Sequence, residues 1–213
     1  MKVSAIIPAF NEGPRVTEVA RTLMRSALLD EVLVVDDGSE DDTALRAMET
    51  GARVVKLACN AGKGGAVARG LSETDGEVVL LIDADLIGLT GKHVEDLLKP
   101  VMDGRADMTI GLFRGGRAST HFSNAIAKHF TGQRAFRRSL IDPGELLNTR
   151  YGLEAILTQI SREKSLRVQK VCLDDLSQVT KEEKMGFSRG SRLRMTMYSE
   201  VVRQFIRRAI LPR

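Results

Sequence analysis

The stretch Val78-Val79-Leu80-Leu81-Ile82-Asp83-Ala84-Asp85-Leu86 decides how this chain is read, because five apolar residues run directly into two carboxylates. A continuous Val/Leu/Ile run of this length is expected of a central strand in a parallel sheet covered on both faces. In open α/β sheets ligands sit outside the carboxyl ends of the strands, and alternate residues of an extended tip aim two oxygens into one crevice. Two acids placed there suit a hard divalent cation, Mg2+ or Mn2+, held against a diphosphate. The plainer alternative is that Asp85 opens the next loop and caps a helix near Thr90.

Working outward, Val3 to Pro8 reads as a buried first strand closed by Pro8, which cannot donate to a central ladder. After the loop Phe10-Asn11-Glu12-Gly13 and Pro14, the residues Val16, Val19, Ala20, Leu23, Met24 and Ala27 keep a 3.6-residue period. Glu31 to Asp36 is a second buried strand, followed by small and acidic residues, Asp37 to Asp42, that suit a helix start, with the helix running to about Thr50. Val54 to Leu57 gives a third strand. Asn60-Ala61-Gly62-Lys63-Gly64-Gly65-Ala66 then reads as a loop before a helix ending near Thr74, able to bring backbone N–H groups and one positive charge to a phosphate. A helix from about Thr90 to Met102, distorted by Pro100, precedes a fifth strand at Asp107 to Leu112. Successive strand–helix units with short connections predict a doubly wound α/β domain with helices on both faces.

Beyond Phe113 the pattern changes. Arg114 to Arg117 is glycine- and arginine-rich, Ser119 to His129 is expected to be helical, and Thr131 to Arg138 carries three arginines in five residues, Arg134, Arg137 and Arg138, which form a solvated face or grip a phosphate. Leu153, Ile156, Leu157 and Ile160 form a helical stripe, Arg167 to Leu173 alternates like a half-buried strand, and Asp174 to Gly186 is a charged loop. The tail from about Gly190 is helical by composition.

The chain has 213 residues, of which 43% are hydrophobic, and a formal net charge of +4 that resides in the tail: Arg189 to Arg213 holds seven arginines against Glu200 alone. Without interleaved aromatics this argues against nucleic acid and for an anionic substrate or lipid surface. Cys59 and Cys172 lack metal-ligand spacing and are expected to be buried reduced thiols of a cytoplasmic protein. No run approaches the ~18 apolar residues of a membrane span, so membrane contact is expected only at the periphery, on the inner membrane surface, through the amphipathic tail. The tail's apolar face has two other possible partners, the domain itself or a second subunit in a homodimer.

Four signals lie in one order: Ile7-Pro8-Ala9-Phe10-Asn11-Glu12, Val34-Val35-Asp36-Asp37-Gly38-Ser39, Asn60-Ala61-Gly62-Lys63-Gly64 and Asp83-Ala84-Asp85. Together they resemble the family 2 glycosyltransferases of the GT-A fold, in particular the dolichol-phosphate mannose synthase and glucosyl-3-phosphoglycerate synthase branches. The resemblance implies a GT-A type, Rossmann-like, mostly parallel sheet over residues 1–180 and a basic C-terminal helical extension over 181–213. It implies a nucleotide-sugar donor, UDP- or GDP-linked, held by Pro8, Ala9, Phe10, Glu12, Asp37, Gly62, Lys63, Asp83 and Ala84, with Asp37 meeting the base and Lys63 the diphosphate or base. Asp85, with Asp83, would ligate Mg2+ or Mn2+. Arg134 would meet an anionic acceptor, polyprenyl phosphate or a small phosphorylated molecule such as 3-phosphoglycerate, and Glu154 would lie near that acceptor.

Two positions depart from the family pattern: Ile87 stands where the mannose synthases tend to have glutamine, and Gln178 stands where related enzymes place a metal-binding histidine. Two alternatives stay open. A nucleotidyltransferase would place a glycine-rich loop after its first strand, where this chain has Pro8 to Gly13, and a degenerate nucleotide-sugar binding protein would retain the fold without turnover.

Overall fold

In the computed structural model, which describes residues 1–114, 132–147, 149 and 152–178, the apolar runs form the middle of a seven-stranded sheet. Strands β1 (Val3–Ala9), β2 (Glu31–Asp36), β3 (Arg53–Lys56) and β4 (Val78–Leu81) are parallel, in the order β3-β2-β1-β4. β4 is followed across the sheet by β7 (Arg134–Arg137), antiparallel to both its neighbours, then by β6 (Met108–Arg114) and β8 (Val168–Asp174). The short strands β5 (Leu86–Ile87) and β9 (Ser177–Gln178) form a second, antiparallel pair.

Helices α1 (Gly13–Met24), α2 (Thr43–Met48), α3 (Gly62–Glu73), α4 (Gly91–Met102), α5 (Pro143–Leu146) and α6 (Leu153–Glu163) cover the two faces. Val3, Ala5 and Ile7 of β1 pack with Val16, Val19, Ala20 and Leu23 of α1 and with Val94, Leu97, Leu98 and Val101 of α4. Ile6, Leu33, Val79 and Leu81 turn to the opposite face, against Ala66, Val67 and Leu71 of α3 and Ile156, Leu157 and Ile160 of α6. Each such burial of a Val, Leu or Ile side chain contributes roughly 1.5–3 kcal/mol. Both layers therefore clamp the central strands and hold their carboxyl ends at a common edge.

The sequence expectations need correction at several points. Pro8 does not end its strand: it sits within β1, opposite Val35. Ile6 O accepts from Ile82 N on the β4 side, and Pro8, two residues on, faces the same way but lies past the last β1–β4 pair, so its missing donor costs no ladder bond. The glycines at 62, 64 and 65 do not form an open loop but lie in α3 and are buried. Within the arginine-rich stretch, residues 134–137 form the strand β7, whose first three residues are buried. Pro100 lies inside α4, which nevertheless runs on to Met102. Cys59 and Cys172 are exposed, Cys172 because β8 is an edge strand whose alternate residues face outward.

Asp85 does not cap the following helix. Thr90 does, through a reciprocal pair in which its side chain accepts from His93 N while His93 Nδ1 accepts from Thr90 N. His93 Nε2 then lies 3.0 Å from Asp174 O, the geometry of a donated hydrogen bond. The helices expected at 119–129 and from residue 190, and the extension 181–213, lie outside the described residues. Among those described, no helix is long and apolar enough to cross a membrane.

Candidate active site

The carboxyl ends of β1, β2 and β4 deliver Phe10 to Glu12, Asp36 to Ser39 and Asp83 to Asp85 to one edge of the sheet. Because β7 runs antiparallel to β4, with Leu81 opposite Arg134, the residues that precede β7 arrive at the same edge. Gly132 and Gln133 thereby meet the acids at the end of β4, although some fifty residues separate them in sequence.

Asp83 is the hub of this edge. Its Oδ1 lies 2.6 Å from Lys63 Nζ, and its Oδ2 accepts from Gln133 Nε2 at 3.0 Å and from Gln178 Nε2 at 3.3 Å. Gln178 Nε2 also donates to Asp85 Oδ1 at 2.7 Å. Both carboxylates are only 7% exposed. Gly132 packs against the ion pair so closely that a Cβ there would fall 2.6 Å from Asp83 Oδ1, which explains the absence of a side chain at that position.

Lys63, on the first turn of α3, also reaches Glu154 Oε1 at 2.5 Å, so one ammonium bridges two carboxylates. Burial by itself would push its pKa down; Asp83 and Glu154 outweigh that and hold it above the usual lysine value. Lys63 is thus a charged, ion-paired group on a helix, with a side chain 26% exposed.

Arg134 differs most from expectation. It is 0% exposed, and its guanidinium donates to Glu154 O at 3.2 Å and to Thr158 Oγ1 at 3.0 Å rather than facing a cleft. Desolvation pushes its pKa down to about 10. Arg134 therefore holds the first turn of α6, and through it the backbone that carries Glu154. Arg137 and Arg138 likewise turn to protein carbonyls, of Val101 and Leu71 respectively.

The remaining candidates divide into wall and support. Asp37, 3% exposed, accepts from Ala61 N at 2.7 Å and Gly62 N at 2.9 Å, so it caps the start of α3 across the cleft. Asp36 accepts from Ser39 N at 2.9 Å and fixes the turn after β2. Asn11 adopts the left-handed conformation, φ 54°, that asparagine tolerates, and its side chain accepts from Glu40 N at 3.0 Å. Glu12 pairs with Arg15 at 3.0 Å. Phe10 is exposed at the rim and Pro8 is partly buried, whereas the side chains of Ala9 and Ala84 belong to the core and leave only their backbone at the edge.

Gln133 and Thr149 carry no sequence signal as site residues. Thr149 accepts from Gly64 N at 3.1 Å, locking α3 to the segment ahead of α6, and Gln133 becomes visible only once β7 is placed beside β4. Among the described residues no three His, Cys, Asp or Glu side chains converge in a metal-binding group. Two carboxylates with amide oxygens nearby nevertheless fit Mg2+ or Mn2+, which take one or two carboxylates and complete their shell with phosphate and water oxygens.

The family described as Glycosyl transferase family 2 matches residues 4–163. The glucosyl-3-phosphoglycerate synthase of Mycobacterium tuberculosis (strain ATCC 25618 / H37Rv) is 35% identical over 120 residues, covering 52% of this chain and 37% of that protein. The undecaprenyl-phosphate 4-deoxy-4-formamido-L-arabinose transferase of Sodalis glossinidius is 32% identical over 168 residues, covering 66% of this chain and 50% of its own. The chain thus spans half or less of the length of these relatives. A crystal structure of the M. tuberculosis glucosyl-3-phosphoglycerate synthase with Mn2+, UDP and glucosyl-3-phosphoglycerate aligns over 100% of this chain and 81% of that one, with a TM-score of 0.78 and 26% identity. The family match takes in the acids after β4, Lys63 and Glu154 alike, and the chain belongs to glycosyl transferase family 2.

Proposed function

We propose that this chain moves a hexose from a nucleoside-diphosphate sugar, UDP- or GDP-linked, to a phosphate-bearing acceptor with the help of Mg2+ or Mn2+. The observation that carries the reading is the convergence of Asp83, Asp85 and Lys63 at the carboxyl end of β4 in a family 2 chain. Asp85 and Asp83 would hold the cation, which when bound neutralises charge on the departing diphosphate. Lys63 adds a positive charge beside the same oxygens, and the rim from Phe10 to Glu12 with the Asp37-capped start of α3 frames the nucleoside.

In the transfer an acceptor oxygen bonds to the sugar C1 while the C1–O bond to the diphosphate breaks and its electron pair leaves with the diphosphate. Where the acceptor oxygen belongs to an ionised phosphate, as in a polyprenyl phosphate, there is no proton to surrender and no strong general base is required; a hydroxyl acceptor on a small phosphorylated acid would pass its proton to a nearby carboxylate or to water as its bond to C1 forms. Glu154, paired with Lys63, then orients the acceptor side of the site, and Arg134 positions Glu154 from beneath. The names of the relatives point to two acceptor classes, a polyprenyl phosphate and a small phosphorylated acid. The basic tail, with Arg203, Arg207 and Arg208 against Val202, Phe205, Ile206 and Ile210, favours the lipid-linked class, as an extension that lies on anionic membrane.

Presenting UDP-glucose and GDP-mannose with Mn2+ to 3-phosphoglycerate or to detergent-dispersed polyprenyl phosphate, and following nucleoside diphosphate release, tests the proposal. Release that needs one of these acceptors and stops when Mn2+ is chelated supports it; no acceptor-dependent release from either donor refutes it. Co-sedimentation with anionic vesicles at low salt separates the lipid reading, which fails if the chain stays in the supernatant.

A further inference from the structure

The amide of Gln178 stands between the two acids. Its Nε2 lies 2.7 Å from Asp85 Oδ1 and 3.3 Å from Asp83 Oδ2. It is delivered there by the β5–β9 pair, in which Gln178 is the register partner of Leu86, the residue that follows Asp85. The amide N–H groups thus do for two crowded carboxylates what a cation would do, sharing positive partial charge between them.

A second observation shows that this arrangement leaves a need unmet. Gln133 is 0% exposed and donates its Nε2 to the same Asp83 Oδ2, but its Oε1 is buried without a hydrogen-bond partner among the described residues. A buried amide oxygen beside a carboxylate calls for a donor. Mg2+ and Mn2+ commonly retain bound water, whose hydrogens would supply one.

We propose that Gln178 is the residue that sets cation preference at this site, a step that rests on reading Asp83 and Asp85 as a cation site. A half-turn about its last side-chain torsion exchanges Nε2 for Oε1 and converts the Gln178 amide from a stand-in for the cation into a third oxygen donor beside the two carboxylates. No histidine or cysteine joins the cluster among the described residues. The protein's donor set is then all oxygen, which suits Mg2+ and Mn2+ and lacks the imidazole or thiolate donors that would favour later transition ions such as Co2+, Ni2+ and Zn2+. Since an entering cation displaces the amide's own hydrogen bonds to Asp83 and Asp85, the site binds cation weakly alone and more tightly once a diphosphate supplies further oxygens.

The test measures binding, not turnover. Mn2+ and Co2+ are titrated against the full chain with UDP present, free Mn2+ being followed by electron paramagnetic resonance, for the native chain, Gln178→Ala and Gln178→His. Expected are a loss of Mn2+ affinity of about tenfold or more in Gln178→Ala, within the range for residues that tune a metal site, and a shift of preference toward Co2+ in Gln178→His with nitrogen coupling to bound Mn2+ that the native chain lacks. Equal or tighter Mn2+ binding by Gln178→Ala shows the amide to be only a latch; it overturns this proposal and leaves the cation site standing. If Gln178→Ala does not fold, Gln178→His decides, and an unchanged Co2+ to Mn2+ preference overturns the proposal. Failure of the native chain to bind Mn2+ with UDP overturns both this proposal and the metal-dependent reading beneath it.

Discussion

Lys63 Nζ lies 2.5 Å from Glu154 Oε1, an ion pair that ties the first turn of α3 to the first turn of α6 across 91 residues of sequence. Lys63→Met strands two carboxylates that are mostly withdrawn from water, and we expect it to destabilise the fold by about 1–3 kcal/mol in urea denaturation. Glu154→Gln should cost less in the Lys63→Met background than in the native chain, a coupling of about 1 kcal/mol. The folded-state pKa of Lys63 is raised, so its stabilisation is fully present below the ordinary lysine value and is lost only as pH rises through the higher folded one. The difference between native and Lys63→Met stability should therefore stay flat from about pH 6 to about pH 9.

Asp85 is placed to bind rather than to pack, since the hydrogen bond it accepts from Gln178 would survive in Asp85→Asn. That variant should keep its stability within about 1 kcal/mol of native and lose on the order of a hundredfold or more in transfer. Retained transfer would remove Asp85 from the cation site.

Arg134 is a buried cation held by a carbonyl and a hydroxyl, and its Nε has no hydrogen-bond partner among the described residues. Replacing such a group by an apolar side chain of similar length is often neutral or stabilising. Arg134→Met should fold as well as the native chain, within about 1–2 kcal/mol, yet transfer poorly because α6 and Glu154 lose their anchor. Full activity in Arg134→Met would end its role as a positioning residue.

Two glycines at helix starts should respond in opposite directions. A Cβ at Gly64 would meet the backbone carbonyl of Leu146 at 2.5 Å and crowd Thr149, so Gly64→Ala should cost about 1–3 kcal/mol. At Gly91, where a Cβ would meet nothing within 4 Å among the described residues, alanine should add about 0.4–1 kcal/mol. Thermal unfolding of both variants checks the pair.

Asp107 accepts from Arg167 Nη2 at 2.7 Å and from Arg167 Nε and N at 3.0 Å, joining the start of β6 to the approach to β8. These hydrogen bonds hold the Asp107 carboxyl pKa down at about 2. A depressed carboxylate stabilises the fold above its ordinary pKa, and the contribution fades as pH falls through the folded value. Arg167→Ala should then cost about 0.5–1 kcal/mol at neutral pH, as for a solvent-screened pair, with the difference vanishing near pH 2 in acid titrations followed by circular dichroism.

The parallel half of the sheet was readable from sequence because its strands are continuous apolar runs with a helical period between them. β7 was not, since Arg134-Ala135-Phe136-Arg137 looks like a charged turn until Arg134 is seen to be satisfied inside the protein. The acids after β4 were legible as a pair, but their ties to Lys63, Gln133 and Gln178 depend on strand order, which local pattern does not encode. Asp37 illustrates the same limit: its neighbours suggest a cap for α2, yet it caps α3, which the sheet brings alongside.

The late arrival of β7 also shapes how the chain can be made. β4 and β6 are separated in the sheet by a strand that is synthesised after both, so a nascent chain folded only as far as Arg114 would leave the β4 edge open beside a gap one strand wide. At usual elongation rates that gap persists for roughly one to five seconds before Arg137 emerges. Unpaired edges of this kind are templates for association with other chains. Slow translation between residues 114 and 137 would lengthen the exposure, and coexpressed chaperones should raise the yield most when elongation across that interval is slowed.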